Sequence, residues 1–215
     1  MDSNSSRAYW DRVAREKTFR HELRLDWMRS YGVGTSVLDC GCGYGRLLEQ
    51  LVDEGYAGAV GSDFSASMLA RCATTQPRMS QRLVQADGRT LPFRDESFDA
   101  VLLFTLLTSM PRDCEQRDLL LEVRRVLRRG GLIYISDLLL NEDSRNVARY
   151  QEFAAEFGTF GVFRLPEGVT VRHHTEEWIR DLTGGFVQLK YERFDVTTMN
   201  GNSSAAFQYL GRLSG

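Results

Sequence analysis

Residues 37–45, Val37-Leu38-Asp39-Cys40-Gly41-Cys42-Gly43-Tyr44-Gly45, restrict the fold of this chain more than any other stretch. A short apolar strand runs into an acid and then into three alternating glycines. Residues 46–54 follow with Leu47, Leu48, Leu51 and Val52 on one face of a helix. A strand that turns through glycines into a helix lets backbone N–H groups approach a ligand closely at the helix N-terminus. The nicotinamide fingerprint is excluded by spacing, because its third glycine would fall at position 46, where the chain has Arg46. A phosphate-cradling P-loop is excluded too, since no Gly-Lys-Ser/Thr run follows.

The strand–helix rhythm continues. Strands are predicted at residues 57–62, 82–86, 98–107 and 132–136, with helices at 65–72, N-capped by Ser65, and at 113–128, stopped by Gly130-Gly131. Residues 98–107 are almost continuously apolar, as a parallel strand buried on both faces requires. Upstream, Val13, Phe19, Leu23, Trp27 and Met28 space out one or two amphipathic helices over 8–31, which puts His21 on a helix surface. The last third breaks the rhythm: a helix at 141–157, a small hairpin over 160–172 turning at Pro166-Glu167-Gly168, and a helix at 175–182 behind Thr175. Strands at 186–198 and 205–213 then flank Asn200-Gly201, a hairpin turn.

The expected architecture is α/β: a doubly wound, Rossmann-like, mostly parallel seven-stranded sheet closed by an antiparallel C-terminal hairpin, with helices on both faces. It forms a single domain over 1–215. Residues 1–31 make an N-terminal helical cover, 32–138 the core, 139–184 a lid insertion after strand five, and 185–215 the closing hairpin.

Composition narrows the function. The chain is 42% hydrophobic, too much for wholesale disorder, and its net charge of −2 provides no global positive field for nucleic acid or an anionic membrane. Lys17 and Lys190 are the only lysines; the arginines are spread along the chain and read as compositional bias rather than a phosphate site. Cys40 and Cys42 are too close to staple anything, and a C-x-C without a matching His/Cys pair is a poor zinc signal. With Cys72 and Cys114 they read as reduced thiols of a cytoplasmic protein. Residues 1–7 are polar, and the longest apolar run, 100–107, falls far short of the ~20 residues of a membrane helix.

Four separated motifs occur in order. After Asp39-Cys40-Gly41-Cys42-Gly43-Tyr44-Gly45 comes Gly61-Ser62-Asp63-Phe64-Ser65-Ala66-Ser67-Met68. Ala86-Asp87-Gly88 follows, with Leu91-Pro92-Phe93 and Ser97-Phe98-Asp99 behind it, and then Arg125-Val126-Leu127-Arg128-Arg129-Gly130-Gly131. With these the chain resembles the class I S-adenosylmethionine (SAM) dependent methyltransferases, in the small-molecule group called type 11, from about residue 30 to 138. The resemblance implies SAM as cofactor, S-adenosylhomocysteine as product, and no metal. It implies that Asp63 holds the ribose hydroxyls and that Ala86, Asp87 and Gly88 receive the adenine; Asp87-Gly88 would equally make an Asx turn. Phe64 and Met68 would sandwich the adenine or simply pack in the core. Asp39, with Cys40, Gly41, Gly43 and Gly45, would orient the methionine amino group, and Phe104 and Thr105 would stand beside the sulfonium.

Departures from the family pattern bear on the acceptor. Leu106-Leu107-Thr108-Ser109 stands where many relatives carry histidines, and no Asn/Asp-Pro-Pro-Tyr/Phe run marks an exocyclic-amine enzyme. The remaining candidates for a general base are His173 and His174, which an extended segment would send to opposite faces; a surface or capping role is the alternative. Tyr9, Trp10 and Phe160 are candidate substrate contacts or ordinary packing. The expected function is methyl transfer to an O, N or C atom of a small metabolite by a monomer or homodimer, without nucleic-acid or membrane partners. Its rivals are an RNA (tRNA/rRNA) methyltransferase and a catalytically inactive SAM-binding partner protein.

Overall fold

In the computed structural model, which describes residues 3–214, helices α1 (Ser3–Val13) and α2 (Leu25–Ser30) precede β1 (Val37–Cys40). Then come α3 (Arg46–Asp53), β2 (Val60–Asp63), α4 (Ala66–Thr75), β3 (Leu83–Gln85), β4 (Phe98–Phe104), α5 (Asp113–Val126) and β5 (Leu127–Leu138). The remainder is α6 (Ser144–Phe157), β6 (Val162–Arg164), β7 (Thr170–Arg172), α7 (Glu176–Leu182), β8 (Phe186–Thr197) and β9 (Ser203–Leu213). Seven strands form one sheet in the order β3-β2-β1-β4-β5-β9-β8, and β6 pairs only with β7. The first five run parallel, whereas β9 is antiparallel to both β5 and β8. The order in which strands are added reverses between β1 and β4, and such a switch point opens a crevice at the strands' carboxyl ends.

Alternation along β4 and β5 divides the core. Val101, Leu103, Ile133 and Ile135 face Leu119, Leu120, Val123 and Val126 of α5. Ala100, Leu102, Phe104 and Tyr134 share the other face with Trp27, Met28 and the α3 leucines Leu47, Leu48 and Leu51. Burying each of those leucines contributes roughly 1.5–3 kcal/mol, which fixes α3 with its N-terminus at the crevice. A third apolar cluster, including Trp10, Met68, Tyr150 and Phe163, joins α1 and α4 to the α6–β7 segment.

Two elements differ from the sequence reading. Helix α1 stops at Val13, and residues 14–24 form no helix. Their backbone groups bond across the fold instead: Arg71 Nη1 donates to the carbonyls of Ala14 (2.7 Å) and Lys17 (2.9 Å), and Gln208 Nε2 to that of Glu22 (2.6 Å). His21 is therefore buried rather than on a helix surface. Helix α5 stops at Val126, before Gly130-Gly131, because Leu127 already pairs with Phe98 in the sheet. The glycines lie inside β5, in a bulge between the Phe98–Leu127 and Ala100–Leu132 pairs. Among the described residues no helix is long and apolar enough to cross a membrane. Among them, too, no group of three or more His, Cys, Asp or Glu side chains could hold a metal ion.

Candidate functional site

The glycine turn is built by backbone bonds. The N–H groups of Gly41 and Cys42 both donate to the Ser62 carbonyl (2.7 and 2.9 Å), so the turn is tied to the end of β2. Gly45 caps α3 with a φ of 81°, and a Cβ there would collide with Cys72 Sγ. Only glycine satisfies both demands. Asp63 completes the tie: Oδ2 accepts from Gly43 N–H at 2.9 Å and Oδ1 from Ser65 N–H at 2.8 Å. Each oxygen keeps a second lone pair for a ligand. Ser65 then caps α4 by accepting from Met68 N–H, and its own hydroxyl donates to Asp11 (2.6 Å).

Three recesses share walls along this edge. An inner cleft of about 630 Å³ lies between Asp39, Gly41, Gly43, Arg46, Asp63 and Thr105. An outer recess of about 560 Å³ is lined by Cys40, Ala86, Asp87, Gly88 and Arg89. Gly41, Asp63, Phe64, Leu106 and Ser109 belong to both, which puts Asp63 at their junction. A third cavity of about 730 Å³ meets the inner cleft at a neck of Trp10, Phe19, Thr105 and Ser109. Met68 lines the inner cleft alone of the three, Phe104 likewise, and Gly45 lines none.

The acids are electrostatically unlike. Burial pushes the Asp39 carboxyl up to about 7, against the pull of Arg46, and its Oδ2 is enclosed with no hydrogen-bond partner. Burial raises Asp63 to about 6 against its backbone N–H bonds. Asp87 is held low by hydrogen bonding to Arg89, whose Nη2 lies 2.6 Å from Oδ2. Thr105 adopts a φ of 54° at the neck, a left-handed conformation that is strained for a β-branched residue, while its N–H donates to the Ser136 carbonyl at 2.8 Å.

The histidines sort by their partners. His174 is fully enclosed: Nδ1–H donates to the Leu138 carbonyl (3.1 Å), and Nε2 accepts from Gln116 (2.9 Å), whose amide is oriented by Trp178 N–H at its oxygen (2.7 Å). With both nitrogens used and no recess wall to its name, it has no lone pair for catalysis. His173 lines the third cavity. Asn141 N–H donates to the Tyr150 hydroxyl (3.3 Å), which donates in turn to His173 Nδ1 (2.6 Å); Asn141 Nδ2 directs its two N–H groups to the Leu139 carbonyl and Ser204 Oγ (both 2.9 Å). This network assigns the proton to Nε2, which has no protein partner among the described residues. In that tautomer His173 offers the cavity an N–H; burial, then Arg149, hold its pKa well below normal.

His21, which the sequence reading left on a surface, lines the same cavity with Nδ1 2.8 Å from Ser136 Oγ. Two expected substrate contacts lie elsewhere. Tyr9 is buried behind Trp10 and lines no recess, and Phe160 is 50% exposed, packed edge-on against Tyr150. Trp10 alone of the three reaches the neck. Arg145 and Arg149 were missed although their i, i+4 spacing places them on one helical face; both line the third cavity.

Residues 38–135 match the sequence family described as "Methyltransferase domain". The chain is 28% identical over 206 residues to demethylmenaquinone methyltransferase of Mycobacterium bovis, covering 84% of this chain and 79% of that protein. It is 31% identical over 121 residues to methyltransferase GfsG of Streptomyces halstedii, covering 54% of this chain and 42% of that protein. Across the first such relatives it spans about two fifths to one half of their length. Among solved structures, a SAM-dependent methyltransferase from Methanosarcina mazei superposes with a TM-score of 0.82 at 23% identity, covering 91% of this chain and 99% of that one. Residues 38–135 thus resemble the methyltransferase-domain family, and the fold of the chain is that of the SAM-dependent methyltransferase from Methanosarcina mazei.

Proposed function

We propose that this protein transfers a methyl group from SAM to an O, N or C atom of a small molecule. The observation that carries the reading is the continuity of the three recesses, with Asp63 at one junction and Thr105 at the other. The residues present fit the cofactor. Asp39 offers an unpartnered buried oxygen that an ammonium would satisfy, Asp63 has free lone pairs for two ribose hydroxyls, and Asp87 with Ala86 and Gly88 lines the recess that would take adenine. In this assignment Phe64 packs on the adenine while Met68 packs nearer the methionine.

When bound, SAM supplies a methyl group already activated on a sulfonium. What remains for the chain is to align the acceptor and exclude water. Trp10 and Phe19 close the neck, and Phe19 is fixed by its N–H bond to the Tyr44 hydroxyl (3.1 Å). His21 and His173 are held neutral by burial and serve as polar positioning groups. Residues 10–21 and 145–173 supply half of the acceptor walls and residues 197–204 much of the rest, and the working unit is a cytoplasmic monomer or homodimer.

Labelled SAM supplied with a panel of small metabolites and, separately, with total tRNA tests this. Methyl incorporation into a metabolite is the expected result. Incorporation into RNA alone, or cofactor binding with no acceptor in either set, contradicts it.

A further inference from the structure

Resting on that reading, we propose that the acceptor cavity selects a molecule with an apolar body and a single carboxylate, anchored by Arg149 and His173 away from the neck. The cavity wall carries Arg20, Arg145 and Arg149 and no aspartate or glutamate among the described residues. Three guanidinium groups facing one space without an acid is an arrangement that a bound anion would complete.

Arg149 is the anchor because it is committed but incomplete. Its guanidinium stacks on Phe163, 3.8 Å from the ring centroid, and it bonds the Asn146 side-chain oxygen. Its Nε–H is buried with no partner, and no carboxylate pairs with it among the described residues. A buried donor of this kind is costly unless something accepts from it. His173 presents its own unpartnered Nε2–H to the same cavity, in the tautomer set by the Tyr150 hydroxyl donating to Nδ1. A carboxylate offers two acceptor oxygens, one for Arg149 and one for His173, and both of these side chains pack against the Phe163 ring.

The charge count favours a monoanion. Arg145 is already shared with Asp143 at 3.9 Å, and Arg20 is exposed, leaving Arg149, half-buried, as the cation with no carboxylate partner among the described residues. Phe163, Leu165, Val171, Leu138 and Met199 give the wall an apolar stretch for the body of such a molecule, beside the neutral hydroxyl and amide groups of residues 197–204. Neither Arg149 nor His173 belongs to the neck, so the carboxylate anchors the acceptor while a different atom faces Thr105.

Calorimetric titration of the full chain with straight-chain carboxylates of four to twelve carbons, arylalkanoates and their primary amides, with and without S-adenosylhomocysteine, tests this directly. At least one carboxylate is expected to bind about tenfold or more tighter than its amide, the effect of a hydrogen bond to a charged group. Arg149→Met should bring that acid to the level of its amide, and Arg149→Lys should restore part of the difference. Arg145→Gln, at an exposed site, should weaken the acid by a smaller factor and checks the assignment if Arg149→Met folds poorly. Equal affinities for acid and amide, no binding by any acid, or binding by octyl phosphate alone overturns the proposal. Failure of S-adenosylhomocysteine to bind the unmodified chain instead contradicts the proposed function, because the cofactor-free titration still reads the cavity's preference.

Discussion

The inner cleft and the cavity beyond Thr105 adjoin, yet they are built by different means. One side of the cleft is made by two short segments, residues 39–47 and 63–68, whose geometry is fixed by backbone N–H bonds to the Ser62 carbonyl and the Asp63 carboxylate, and Trp10, Phe19 and residues 104–109 close it. The cavity is made by side chains from separated segments around residues 10–21, 105–109, 138–149, 163–173 and 197–204. A backbone-defined site tolerates few sequences, and a side-chain-defined one can be relined without disturbing the sheet. The fold thus constrains one recess and leaves the other open to change.

The largest expected effect tests that contrast in the backbone. Gly45→Ala combines a left-handed φ with a collision against Cys72 and should cost about 2–5 kcal/mol of stability. Gly168→Ala, at the lid turn, has a comparable φ of 94° but open space around it, and should cost about 1–2 kcal/mol. Denaturant midpoints of the two variants give the comparison; equal losses would remove the distinction between the two regions.

A second comparison is between neighbours. His174→Ala empties a fully buried ring site and removes its bonds to Gln116 and the Leu138 carbonyl, and should destabilise by about 2–4 kcal/mol. His173→Ala should cost about 1–2 kcal/mol, because the cavity relieves the Tyr150 hydroxyl, and should raise the acceptor KM more than it lowers kcat. A His173→Ala variant that is stable and has normal KM but has lost the alkaline rise of kcat would restore that ring as a general base.

Smaller still is a pH effect confined to the cleft. Asp39 is raised to about 7, so below that pH the carboxyl is neutral and attracts a cation weakly. S-adenosylhomocysteine binding should therefore tighten from pH 5 to 7, by at most about tenfold per unit, with proton release. Asp39→Asn should flatten the slope. A slope unchanged in that variant would move the ammonium away from Asp39.

Legibility in the sequence follows the same division. The positions of Asp39, Asp63 and Asp87 along the recesses follow from local spacing, because each lies at or within two residues of a strand's carboxyl end, beside a glycine or a helix cap. His21 was misplaced because residues 14–24 satisfy their backbone groups against Arg71 and Gln208, partners far away in the chain. The end of α5 was misread for a similar reason: the pairing of Leu127 with Phe98 overrides the local stop at Gly130-Gly131. Arg145 and Arg149 carry a helical spacing, but nothing local tells that face from an ordinary solvated one. What unites them with His173 is tertiary.

Asp63 joins the inner cleft to the outer recess, and its contribution is the most direct measure of whether this edge of the sheet is a cofactor site. Calorimetric titration of S-adenosylhomocysteine into the parent chain and Asp63→Ala, with folding of both verified by circular dichroism, measures it. The expected result is micromolar-range binding by the parent and a loss of about 1.5–3 kcal/mol, roughly 10- to 150-fold, in the variant. Unchanged affinity in a folded Asp63→Ala chain, or no binding by the parent, would contradict the assignment.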